Sequence, residues 1–176
     1  LTKLVLEDAL HIMTEESEKC GSSVLYEMKD LLGAFGFVQG VSYHEQLTVA
    51  PGITVMFHDA GHVLGSAYIS VETEGKRIIF SGDIGNDDVP ILPPTDPISR
   101  ADIVVCESTY GNREHEPMEE RQSKLRAALE HTIKQKGVLL IPAFSIERTQ
   151  ELLYALDQIL GHELKTDIGI YLDSPM

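Results

Sequence analysis

Apolar residues recur with two different periods along this chain, and the changes of period divide it into three stretches. In residues 4–17, Leu6, Ala9, Leu10 and Met13 fall at i, i+3, i+4 and i+7, which predicts an amphipathic helix. A second apolar stripe, Val24, Leu25, Met28, Leu31 and Leu32, predicts a helix over 24–32, with Ser22 or Ser23 as its cap and Gly33 as its stop. From Val41 the period drops to two. Leu47 and Val49 open a strand, Pro51-Gly52 turns the chain, and Ile53, Val55 and Phe57 alternate along the next strand. Residues 67–73 alternate again, with Ile69 and Val71 on one side and Tyr68 and Ser70 on the other. Glu74-Gly75 is a hairpin signal, and 77–80 returns as a buried strand.

Residues 86–100 carry Pro90, Pro93, Pro94 and Pro97, which suit a stiff connection and not a paired strand. Asp87, Asp88 and Asp96 are expected to face water there. The continuous apolar run at 103–106 has the pattern of a strand buried on both faces, which makes Cys106 a buried thiol. After Arg113 helix and strand alternate. Leu125, Ala128, Leu129, Thr132 and Ile133 mark a helix, and 138–141 a strand. Ser145 then caps a helix that turns Thr149, Leu152, Leu153, Leu156, Ile159 and Leu160 inward, and 168–172 is a further strand. That alternation predicts an α/β arrangement, a parallel sheet with flanking helices, beginning at a boundary near 111–115.

Length and composition add limits. A chain of 176 residues holds one domain or parts of two, and 43% apolar content is enough for an ordinary core. No apolar run has the length of a membrane span, and no signal-peptide pattern opens the chain. Its first residue is Leu, which suggests a cut start. The two cysteines, Cys20 and Cys106, form no metal-binding spacing and no disulfide scaffold, so a reducing cytoplasm is the default compartment. The net charge of −14 opposes nucleic-acid binding, since phosphate contact needs Lys and Arg. A bound dication would reverse that sign locally.

Chemistry concentrates at strand ends. His62 lies in a Gly-flanked loop after one strand, Asp83 in a Gly-flanked loop after another, and Glu107 ends a third. Imidazole with carboxylate is a ligand pair that suits Zn²⁺. His58 and His62 stand at i, i+4, but Gly61 and the preceding strand argue against a helix, so His58 reads as structural. Ser145 opens a helix whose free N–H groups suit a phosphate, although an N-cap is the commoner role. Arg113 and Arg148 are further phosphate partners to consider.

The segments D-A-G-H-V-L-G-S-A, F-S-G-D-I-G and V-V-C-E-S-T-Y-G-N-R resemble, in this order, the metallo-β-lactamase-fold nucleases of the β-CASP group. That group includes ribonuclease J and the nuclease of mRNA 3′-end cleavage. P-A-F-S-I-E-R-T-Q-E-L-L and Y-L-D-S-P-M resemble it as well. The resemblance implies part of an αββα metallo-β-lactamase sandwich over 1–112, followed by the first part of a β-CASP domain over 113–176. It implies a zinc-dependent RNA hydrolase, endo- or 5′-exonucleolytic, acting in RNA processing or decay. Two Zn²⁺ ions are implied, with His62 and Asp83 as metal ligands, Asp83 bridging both, and Glu107 orienting a later His that serves as general acid. RNA is the implied partner, with a homodimer or an RNA-processing complex around it and no membrane. The family's H-x-H-x-D-H loop is missing from these residues and is expected before Leu1, with the later His residues after Met176. His115, His131 and His162 do not stand in matching contexts. The 176 residues alone are therefore expected to be inactive and to bind zinc weakly. Two alternatives remain: a non-catalytic β-CASP scaffold subunit, or another hydrolase of the same fold such as a DNA nuclease.

Overall fold

The structure is a computed structural model, and it describes residues 1–86, 89–114, 117–164, 166 and 168–174. Asp87, Asp88 and His115 lie outside the described residues. The chain divides into two compact units, Leu1–Val41 with Tyr171–Met176, and Ser42–Ile170.

In the first unit, α1 (Thr2–Cys20) ends at Gly21, whose φ of 69° is the left-handed cap that glycine adopts without strain. The second helix, α2 (Met28–Phe35), starts later than the apolar stripe implies and runs through Gly33. Its N-terminus is set by chemistry and not by Ser22 or Ser23. The Glu27 side chain accepts from the N3 backbone, and Asp30 accepts the Glu27 N–H at 2.9 Å, a reciprocal capping box built from two acids.

The second unit is built on a five-stranded mixed sheet in the order β1-β2-β3-β4-β5. β1 (Gln46–Ala50), β2 (Ile53–Asp59), β3 (Ala67–Thr73) and β4 (Lys76–Phe80) run antiparallel, and β5 (Ile103–Val105) joins β4 in parallel. The β3–β4 turn is the expected hairpin, with Glu74 and Gly75 at φ 51° and 72°. Register places Met56, Ser70 and Ile79 in one row and His58 opposite Tyr68. On that face Tyr68, Ser70, Ile79 and His58 are all buried. The aliphatic face carrying Val55, Val71 and Ile78 is only partly covered. The better-buried side is thus the more polar one, and its polar groups satisfy one another: His58 Nε2 meets Ser70 Oγ at 2.9 Å, and the His58 ring stacks on Tyr68.

β5 is an edge strand and not a buried one. Ile103, Val104 and Val105 are about half exposed, and Cys106 is exposed as well, because among the described residues no strand lies beyond it. The run at 138–141 forms no strand; Val138 and Leu140 are exposed while Leu139 packs on the helical core. Residues 168–172 likewise form no strand. Both runs are apolar enough for strands, but a strand exists only where a partner completes its ladder. The helical half holds instead through α3 (Met118–Gln135), α4 (Arg148–Asp157) and a π-helical continuation, Gln158–Leu164. Leu129, Leu156, Ile159 and Leu160 form its core, as the helical period implies.

Candidate active site

Three loops at the ends of β2, β4 and β5 meet. The loop after β2 is shaped by Ser66, whose Oγ accepts the His62 and Val63 N–H groups at 3.1 and 3.2 Å. Gly61 and Gly65 take φ values of 60° and 86° there, and Asp59 Oδ1 accepts the Gly61 N–H at 2.8 Å. The loop after β4 is tied to it through backbone. Gly85 donates its N–H to the Ala60 carbonyl at 2.8 Å, and its Cα is pressed so closely against the Gly61 carbonyl that no Cβ fits. Glycines at 61 and 85 are what allow the His62 and Asp83 loops to touch.

Glu107 pins the Asp83 loop from the end of β5. Its Oε1 accepts the Ile84 N–H at 2.6 Å, and its own N–H donates to Ser81 Oγ at 2.9 Å. The Ile84 bond, then hydrogen bonds from Thr109, hold the Glu107 carboxyl below its usual range, with the nearby His62 adding to the effect.

His62, Asp83 and Glu107 line one cavity of about 700 Å³ together with Tyr110, Arg121 and Arg148. His62 and Asp83 are both exposed. Ser145 does not line this cavity among the described residues, although Phe144, Ile146, Glu147 and Arg148 do. Nor does Ser145 cap the helix. α4 starts at Arg148 after Glu147, which sits at φ 65°, ψ −58° while Arg148 donates its N–H to the Ile146 carbonyl at 2.8 Å. That is a γ-turn of the rare, strained hand. Ser145 instead accepts from the Gln150 amide at 3.2 Å through its carbonyl.

The sequence pointed to Arg148 but gave no signal for Arg121 or Glu147. One Glu147 oxygen accepts the Leu64 N–H at 3.4 Å, and the other is buried without a hydrogen-bond partner. Arg148 Nη1 donates to Glu151 at 2.6 Å. Arg113 stacks over the Tyr110 ring, 5.3 Å from its centroid.

Asp96 was expected in water, yet it clasps the start of the His62 loop. It exchanges bonds with Asp59: its N–H donates to the Asp59 carbonyl, and its Oδ2 accepts the Asp59 N–H, both at 2.9 Å. The same oxygen takes His44 Nε2 at 2.7 Å. His58 lies beside this pair, its ring 5.6 Å from that of His44.

No family model matches the chain. Ribonuclease TTHA0252 of Thermus thermophilus is 39% identical over 176 residues, all of this chain and 38% of that protein. Endoribonuclease ysh1 of Schizosaccharomyces pombe is 38% identical over 145 residues, 80% of this chain and 18% of that protein. An RNase J-like protein of Methanocaldococcus jannaschii is 32% identical over 159 residues, 86% of this chain and 37% of that protein. The chain therefore spans well under half the length of these relatives.

Proposed function

With the chain a member of the β-CASP metallo-β-lactamase family along its matched length, we propose that it forms part of the catalytic centre of a metal-dependent RNA phosphodiesterase. The observation that carries this reading is the backbone contact between the Gly61 and Gly85 loops, which sets His62 and Asp83 on one cavity. An imidazole and a carboxylate on touching loops suit Zn²⁺. His62 and Asp83 would hold two zinc ions, which when bound supply an activated water and charge neutralisation at phosphorus. Two donors are fewer than two such ions need, so these 176 residues by themselves are inactive.

The rest follows from groups on this chain. Glu107 is a positioning residue. It takes up the Ile84 N–H and thereby fixes the Asp83 loop, and the same carboxylate suits the orienting of a general-acid imidazole. Arg121 and Arg148, the latter already paired with Glu151, are the cations that line this otherwise acidic cavity and the groups on this chain suited to meet a scissile phosphate. Residues 1–112 would then be the metallo-β-lactamase part and 113–176 the start of the β-CASP part. The names ribonuclease, endoribonuclease and RNase J-like among the relatives favour RNA over DNA and over a scaffold role.

The test is cleavage of end-labelled RNA by a protein of the relatives' length carrying this chain, with and without chelator, beside Asp83→Asn. Chelation and the substitution should each abolish cleavage. Full activity in Asp83→Asn would remove Asp83 from the mechanism.

A further inference from the structure

A second group of donors lies apart from the cavity-lining residues. His44, His58 and Asp96 each offer a ligand atom, and these atoms all lie within 4.8 Å of one another; among the described residues this is the group of three His, Cys, Asp or Glu side chains placed to hold a metal ion. None of the three lines the candidate active-site cavity. We propose that His44, His58 and Asp96 form a structural site for a borderline dication of the Zn²⁺ class.

Three features of the group favour this. Two imidazoles and one carboxylate are a ligand set that suits zinc and its first-row neighbours, and not Ca²⁺ or Mg²⁺, which take oxygen. The donors come from three separate segments: the turn before β1, strand β2, and the proline-rich connection. An ion there would add a staple to segments already joined by the Asp96–Asp59, Asp96–His44 and His44–Phe57 hydrogen bonds. The ligands are also held in place. Ser70 Oγ takes His58 Nε2, Tyr68 stacks on the same ring, and the Asp59 N–H fixes Asp96 Oδ2. Such outer partners orient the ligands of known metal sites.

The adjustment needed is small. Ligand atoms of a tetrahedral zinc stand roughly 3.3 Å apart, given metal–ligand bonds near 2.0 Å. The His44–Asp96 pair, now 2.7 Å apart, would open slightly, and the longest separation, at most 4.8 Å, would close by side-chain rotation. The site also bears on the active centre. Asp96 clasps Asp59, and Asp59 in turn holds the Gly61 N–H one residue before His62. Filling the site would rigidify the His62 loop from behind.

The experiment titrates the 176-residue chain with Zn²⁺ by calorimetry and with Co²⁺ by visible absorption. The expected result is one ion per chain in the wild type and in the His62→Ala/Asp83→Asn double variant. His44→Ala and Asp96→Asn should each weaken binding by at least roughly tenfold, the lower bound for losing even an outer partner of a metal site. In case a variant unfolds, proton NMR of the wild type reads the same point: Co²⁺ should broaden the imidazole signals of His44 and His58 before that of His62. No ion bound, or binding that survives His44→Ala and Asp96→Asn but is lost in the double variant, overturns the proposal. Because the double variant removes the proposed catalytic ligands, its result separates this site from the nuclease reading.

Discussion

Replacing Gly85 with alanine perturbs the junction on which the candidate site depends. A Cβ at this position would be driven into the Gly61 carbonyl and would stand 2.7 Å from the His62 nitrogen. Both obstacles are backbone, so no rotamer change relieves them. The two loops must separate by on the order of 1 Å, because the added Cβ meets fixed backbone on the facing loop and overpacking is relieved only by backbone shifts. Overpacking of this kind costs about 1–3 kcal/mol. Separation also breaks the 2.8 Å bond from Gly85 to Ala60, worth about 1 kcal/mol more. A total of about 3 kcal/mol corresponds to a fall of roughly 6–12 °C in melting temperature for a chain of this size. Thermal unfolding followed by circular dichroism reads that shift. Gly33→Ala is the control, since a Cβ there meets nothing within 4 Å. In a protein of the relatives' length, Gly85→Ala should also lose RNA cleavage below its new melting temperature, because the His62 and Asp83 loops no longer touch. A variant that melts within about 1 °C of wild type would refute the contact itself.

Other substitutions probe neighbouring parts. Gly61→Ala meets the Thr95 nitrogen at 2.8 Å at a φ of 60°, so it should destabilise through both clash and strain, seen as a lower urea midpoint with an unchanged slope. Glu107→Gln removes a charge-assisted bond to Ile84, at a cost of about 1–2 kcal/mol at neutral pH. The Glu107 carboxyl is held below its usual range when folded, so its contribution is present above about pH 4.3 and lost as pH falls through the folded value; urea midpoints from pH 7 to pH 3 should converge between wild type and variant. His58 is also held low when folded. As pH falls below about 6.5 the unfolded chain takes up a proton that the folded chain refuses, so stability declines there, and His58→Gln should flatten that part of the profile.

Much of the sheet was legible in the sequence because its strands are amphipathic and its turns carry Pro51-Gly52 and Glu74-Gly75, whose chemistry is local. The placement of His62, Asp83 and Glu107 at strand ends was legible for the same reason. What escaped depends on partners distant in sequence. Residues 103–106 and 138–141 are equally apolar, yet the first pairs with β4 and the second with nothing among the described residues. Asp96 looked like one more loop acid, but it meets Asp59 across 37 positions and His44 across 52. Ser145 looked like a helix cap, and the strained turn at Glu147 moved the helix start past it.

The outer margin of β5 has a practical consequence. No strand pairs with it there among the described residues, so its backbone groups and half-exposed Ile103, Val104 and Val105 offer a template for an added strand. Solutions of the isolated chain will therefore turn cloudy with rising concentration. A short strand-forming peptide that fills that margin will keep them clear where added salt does not.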